Sequence, residues 1–380
     1  MSGKGNYDMT VYIALLVWTI LCSPLENTKM TCKNMTIISG KTLYLLVTFI
    51  PIWFIMAFRG LGVGTDTLAN ASYFVSAATS PSLSYLVSDG IWNAGISIIS
   101  YMIGLISTDI EVYMIWSSII ISIGFAIFIY RTSNKVWLST FLFLTLNLFF
   151  ISLNVSRQFI AISIAINAFV FLYHNMHSGV GWSLFLIAAW IHTSIFSFIP
   201  ALMGIWLVKR CQSYTKLYFM TTIFAILFAV SLMGIATIFS SIFPHYAIYT
   251  GGASRDNLIE NTGGGKIIIE YLFFLFILTV YFINKKMSNC KVNNTITDSF
   301  IPGAIFCIIT GIIFASNTMM NRVTLPYQCL FISLIPYTYT MMQQRIRYIF
   351  MGIMMIGLVG YYYLWAQGNL GNIVPYYMWI

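Results

Sequence analysis

The chain has 380 residues, of which 59% are hydrophobic and only 8% charged, with a formal net charge of +9. Apolar runs close to the length of a membrane-crossing helix, about 20 residues, recur from one end to the other, and no loop between them is long enough for a soluble domain. Most of the basic residues sit in short loops, where they set orientation and do not suggest nucleic acid. The expected fold class is therefore all-α: a polytopic integral membrane helical bundle, one membrane domain over residues 1–380.

The first apolar run, Met9 to Cys22, has only Lys4 ahead of it and no small-x-small cleavage pattern, so it reads as a retained span. The expected spans are 8–23, 42–58, 111–130, 136–153, 157–174, 180–195, 196–208, 217–240, 267–284, 299–316, 323–342 and 348–366, about twelve in all. The apolar segment 91–107 reads instead as a helix lying along the outer surface. Counting it as a span would place Arg131 and Lys135 outside and invert every later loop. With it excluded, thirteen of the 19 basic residues fall inside, as the orientation rule requires. Eight of the ten acids fall outside, all but Glu26 and Asp298. Both chain ends and the segments 59–110 and 241–266 are expected on the outer face. The six cysteines form no disulfide framework and no zinc spacing.

Four arginines break the charge pattern: Arg59, Arg157, Arg255 and Arg322 lie beside apolar spans on the outer side. A cation there costs free energy unless it holds an anion. Arg59 opens Arg59-Gly-Leu-Gly-Val-Gly-Thr-Asp66, whose three glycines permit a close-approaching backbone. Snorkelling of Arg59 to lipid headgroups and helix capping by Asp66 are the competing reading. Arg157 lies in Asn154-Val-Ser-Arg157-Gln158 at a helix N-terminus, where free amides and the dipole already favour an anion and the guanidinium adds a bidentate fork. His192, in Trp190-Ile-His192-Thr-Ser194, is an ionisable group near a span end; a bond to a neighbouring helix is its ordinary explanation. Asn317-Thr-Met-Met-Asn321-Arg322 repeats the Arg157 arrangement. Arg255 has Asp256 beside it as a ready partner. Asp109 and Glu111 have the spacing to hold a divalent metal, but Thr108-x-x-Glu111 reads better as a capping box opening the third span, so no metal is assigned. Gly263-Gly264-Gly265-Lys266 lacks the spacing and preceding strand of a phosphate loop.

Arg59 to Asp66 after the second span, Ser156-Arg157-Gln158-Phe-Ile-Ala heading the fifth, Ile191-His192-Thr-Ser194 closing the sixth and Asn321-Arg322 near the eleventh occur in an order and spacing that resemble the bacterial O-antigen and exopolysaccharide polymerases of the Wzy/EpsG type. The resemblance covers about residues 42–342. It implies a glycosyltransferase in the bacterial inner membrane with its active site facing the periplasm. Such an enzyme moves a glycan from undecaprenyl diphosphate to a sugar hydroxyl of an incoming lipid-linked repeat unit. The expected partners are that lipid-linked oligosaccharide, membrane lipids and a chain-length regulator of the Wzz kind. Arg59, Arg157, Arg322 and Arg255 are expected to hold the diphosphate, and His192 or Asp66 to take the hydroxyl proton. Activation arrives with the donor, so no cofactor is expected. An O-antigen ligase, which shares the chemistry, usually has one large late loop, whereas here the early segment 59–110 is longest. A repeat-unit flippase should show internal duplication and charges within its spans.

Overall fold

The computed structural model describes residues 9–32, 35–88, 94–242, 264–287, 295–315, 318–369 and 371–379. Among these, eight helices are long and apolar enough to cross a membrane, and nine if a bent pair counts as one span. The protein is thus an all-α polytopic membrane protein. Three of the twelve expected spans hold shorter helices: Gly179–Ile191 of 13 residues, Ile199–Arg210 of 12 and Leu325–Met341 of 17.

The chain divides into two compact units. The first comprises Met1–Ile195 with Tyr348–Ile380, and the second Phe196–Arg347. The first unit holds α1 (Thr10–Leu21), a two-stranded hairpin (Lys29–Cys32 with Met35–Ser39), α2 (Gly40–Ala57), α3 (Thr67–Ala78), α4 (Leu83–Ser88) and α5 (Ala94–Gly104). It continues with α6 (Ile110–Thr132), α7 (Val136–Thr145), α8 (Leu148–Asn154), α9 (Ser156–His174) and α10 (Gly179–Ile191). The expected surface helix is α5. Its 11 residues reach only about 16 Å, too short for a bilayer core of roughly 30 Å.

Sequence explains why α9 lies at the centre of this unit. It is apolar on every side, with Phe159, Ile160, Ile162, Ala165, Ile166 and Phe169 all fully buried, and a helix hydrophobic all round belongs in an interior. It packs on α6 and α10. Small residues allow the approach: a Cβ on Gly124 of α6 would come within 2.7 Å of Ser163. Asn167 of α9 donates to the Gly124 carbonyl at 2.8 Å, tying the same two helices.

The expected span 136–153 is broken. α7 and α8 meet at 52°, because Asn147 between them takes a left-handed conformation with φ of 60°. Asparagine is among the few side chains that visit that region readily. The capping box expected at Thr108 and Glu111 does not form either. Asp109 is the N-cap of α6, with no side-chain bond to the helix, and Ser107 donates to its carboxylate at 2.8 Å instead.

The basic end of the first unit is tied together. Lys41 donates to the Ser133 carbonyl at 3.0 Å. Glu26 accepts the Trp137 amide at 3.0 Å at the start of α7 and lies 4.0 Å from Lys135. The loops on either side of α2 and α6 that carry Lys29, Lys41, Arg131 and Lys135 therefore share one end, and Arg59 lies at the other end of α2.

The second unit contains α11 (Ile199–Arg210), α12 (Tyr214–Ile242), α13 (Gly264–Met287), α14 (Ile296–Ile313) and α15 (Leu325–Met341). α16 (Gln344–Gln367) runs from this unit into the first. Here Asp298, which composition marked as an exception, closes a capping box with Thr295 at the head of α14. Its carboxylate also accepts the Tyr214 hydroxyl at 2.8 Å and that of Tyr281, and lies 3.5 Å from Lys285. Tyr214, Tyr281 and Tyr337 surround the Lys285 ammonium at 5.5–5.6 Å. Both partners are buried, so removing one strands the other charge. Asp298→Ala is expected to destabilise the unit by about 3–5 kcal/mol and to lower the thermal unfolding temperature of the purified protein. The double substitution Asp298→Leu with Lys285→Met should recover most of the loss.

Candidate functional site

The break between α8 and α9 sets the local geometry. α8 ends at Asn154 and α9 starts at Ser156, so the last carbonyls of one helix and the first amides of the next have no helical partner. Arg59 meets the carbonyl side. Its Nη2 donates to the Leu153 carbonyl at 3.1 Å, and its Nη1 donates to that of Met56. Thr67 joins at Leu153 at 3.2 Å, and Asn70 donates to the Asn154 carbonyl at 3.0 Å. A cation at a helix C-terminus complements the negative dipole end.

Arg59 is only 1% exposed. Burial pushes its pKa down to about 10, which still leaves it charged at neutral pH. The glycines after it approach the chain's own segment 371–379. The Gly60 amide donates to Tyr377 at 2.7 Å and that of Gly64 to Asn372 at 2.8 Å; the Trp379 amide returns a bond to Phe58 at 3.2 Å. A Cβ on Gly60 would lie 2.0 Å from the Tyr377 ring, and Gly64 has a φ of +101° that favours glycine. The close approach expected of this glycine run is real, and its partner is protein backbone. Arg59 is thus built into the fold, enclosed by protein.

Arg157 occupies the amide side of the break. It is half-buried on the first turn of α9. Asn70 accepts its Nε at 2.8 Å, and its guanidinium lies 4.5 Å above the centre of the Tyr73 ring. Among the described residues the terminal nitrogens of Arg157 have no hydrogen-bond partner, and these two contacts hold the fork in one orientation. A further layer supports it. The Asn70 amide donates to Ser156 Oγ at 3.2 Å, Ser156 shares a bond of 2.6 Å with the buried Tyr113 hydroxyl, and Tyr73 bonds Ser97 of α5 at 2.5 Å. Tyr73 therefore has one ring face covered by Arg157.

Asp66 takes the N-cap position of α3, yet its side chain makes no capping bond; Thr65 Oγ1 donates to it at 3.2 Å. Capping does not account for the carboxylate. His192 ends α10. Its Nδ1 lies 2.8 Å from Ser194 Oγ and 3.3 Å from the Ser194 amide, and Gln158, next to Arg157, donates to the same Ser194 Oγ at 3.1 Å. An amide can only donate, so Nδ1 carries the lone pair and the neutral ring bears its proton on Nε2.

The structure thus gathers Arg59, Asp66 and Arg157 around one helix break and links His192 to it through Ser194 and Gln158. Arg322 belongs to the second unit. It opens a turn of 3₁₀ helix, Arg322–Thr324, beside a network in which Tyr271 donates to Asn321 at 2.6 Å and accepts from Gln328 at 3.1 Å. Arg255 lies outside the described residues. The residue that sequence reasoning missed is Asn70. It occupies the buried stripe of α3 with Thr67, Ala71 and Phe74, and an amide on an otherwise apolar helical face was the available signal.

The bundle defines a polytopic membrane protein, with two arginines meeting at one helix break. The EpsG family matches the chain over residues 42–378, a span that takes in the final segment together with the helices. The chain belongs to the EpsG family, and so to the polysaccharide polymerase-like membrane proteins. Neither the comparison with curated proteins nor that with solved structures gives a match.

Arg59→Ala removes a buried cation that holds the carbonyls of Met56 and Leu153 and is expected to cost about 2–4 kcal/mol. Gly60→Ala should also destabilise, through its clash with Tyr377. Thermal unfolding in detergent measures both, and a protein of native stability in either case overturns the structural role given to this corner.

Proposed function

We propose that the chain is an O-antigen-type surface-polysaccharide polymerase. It transfers a glycan from undecaprenyl diphosphate to a sugar hydroxyl of an incoming lipid-linked repeat unit, at the periplasmic face of a bacterial inner membrane. The observation that carries this reading is Arg157: a guanidinium held by Asn70 and Tyr73 on the first turn of a helix. That combination suits a diphosphate, which accepts bidentate bonds and gains negative charge as it departs.

The reaction asks three things of the protein. The acceptor hydroxyl attacks the donor sugar C1, the bond from C1 to the diphosphate oxygen breaks, and the hydroxyl proton passes to a base. Arg157 stabilises the charge that develops on the leaving diphosphate, a contribution on the order of 100- to 1000-fold for a single well-placed donor. The tautomer at His192 makes Nε2 a donor, so His192 suits contact with an anion. Asp66 suits the role of base, since its carboxylate is not spent on a cap. Arg59 acts from beneath, by fixing the backbone on which Arg157 stands. For Arg322 and Arg255 a diphosphate role rests on the sequence pattern, and a Wzz-like chain-length regulator remains part of the proposal on the same ground.

Arg157→Ala is expected to lower polymer formation at least about 100-fold while the protein still inserts. Arg157→Lys should fail as well, because an ammonium cannot reproduce the fork. Asn70→Ala should lower turnover about 10-fold, by freeing the guanidinium to rotate. A polymer ladder of normal length from Arg157→Ala sinks the assignment. Asp66→Asn is expected to abolish turnover and His192→Gln to reduce it; the opposite order would exchange their roles. Deletion of the gene separates the activities: surface glycan stopping at one repeat unit on its acceptor marks a polymerase, and none at all marks a ligase or a flippase.

A further inference from the structure

A directed chain of hydrogen bonds joins the start of α9 to the end of α10. The short connection 175–178 makes these helices antiparallel neighbours, which brings Gln158 on the first turn of α9 to the level where α10 stops. Gln158 is buried, and its amide donates to Ser194 Oγ at 3.1 Å. α10 ends at His192, whose extended backbone leads into the 3₁₀ helix Thr193–Phe198. That turn sets two groups of Ser194 against Nδ1 of the ring, the hydroxyl at 2.8 Å and the amide at 3.3 Å.

The direction of the chain follows from what each group can give. A serine hydroxyl has one proton and two lone pairs. Gln158 fills a lone pair, so the hydroxyl proton goes to Nδ1. Nδ1 then faces two donors, and a proton of its own would meet both. A histidine that merely capped the 3₁₀ turn would need the Ser194 amide alone. The bond from Gln158, 36 residues away in sequence, adds nothing to such a cap. Its effect is to fix which way the Ser194 hydroxyl points.

We propose that Gln158 is a positioning residue for His192. Acting through Ser194, it keeps Nδ1 bare and the ring proton on Nε2, so that His192 gives a hydrogen bond and leaves proton uptake to another group. This assignment rests on the polymerase reading for the reaction that His192 serves. The turn of α9 that presents Arg157 thereby also sets the proton of the residue that closes α10.

The test uses the full chain in detergent, with 15N in its histidine rings; the His192 signals are those lost in His192→Gln. The unaltered chain is expected to show a bare Nδ1 and a protonated Nε2 at neutral pH. Gln158→Glu turns the chain of bonds round. A carboxylate only accepts, so it draws the Ser194 proton, leaves a lone pair facing Nδ1, and should move a proton onto that nitrogen. Gln158→Met keeps the length and loses the donor. It is expected to lower kcat about 3- to 10-fold, the worth of one hydrogen bond, with KM unchanged. Ser194→Ala should do at least as much, and the double variant should be no slower than Ser194→Ala, because Gln158 acts through that hydroxyl. Additive losses, or an unaltered ring protonated at Nδ1, overturn the proposal. Should a Gln158 variant fail to insert, Ser194→Ala decides: a kcat equal to that of the unaltered chain overturns it. A ring that has the expected proton and responds to Gln158→Glu, in a chain that makes no polymer, leaves this proposal standing and overturns the polymerase reading.

Discussion

A buried arginine at a broken helix governs the first unit. Breaking a helix inside a membrane protein strands carbonyls that water cannot reach, and each stranded group costs free energy. Arg59, Thr67 and Asn70 answer the carbonyls of Leu153 and Asn154. With the carbonyl side settled, the amide side of the break is left to point elsewhere, and Arg157 stands there. One discontinuity in the backbone thus accounts for a structural cation and for a second cation whose Nε is held by Asn70 at 2.8 Å.

The two arginines show why residue type alone does not assign a role. Both follow the same rule in sequence, a positive charge next to an apolar span on the sparsely basic side. Folding separates them by burial. Arg59 is buried, with its backbone paired to Met378 and its side chain on the carbonyls of Met56 and Leu153, whereas Arg157 stays half-exposed on the first turn of a helix. A guanidinium that donates to backbone carbonyls defines geometry; Arg157 is instead clamped through Nε and its face.

Much of the fold was legible from periodicity and length. The spans at 42–58, 111–130, 157–174 and 299–316 lie within two or three residues of α2, α6, α9 and α14 at most of their ends, because a continuous apolar run has few alternatives in lipid. The short α5 was also readable, since charge balance forbade it a span. The break at Asn147 was not, because a single asparagine in an apolar run carries no compositional weight, and its left-handed backbone depends on packing. Of the candidate site, Arg157, Asp66 and His192 were readable as polar exceptions. Their relation was not: Asn70 reaches Arg157 across 87 residues and Gln158 reaches Ser194 across 36, and no local spacing encodes such pairings.

The segment 371–379 carries a consequence for biogenesis. Ribosomes deliver a chain from its N-terminus, and units generally fold as they emerge. Arg59 and its glycines are made early, but the residues that cover them arrive after the whole second unit has been synthesised. Through that interval the corner has its cation and its open amides without their cover. Completion of the first unit therefore reports that everything between has been made, and a chain cut short before residue 371 presents an unfinished corner to the cell's membrane proteases.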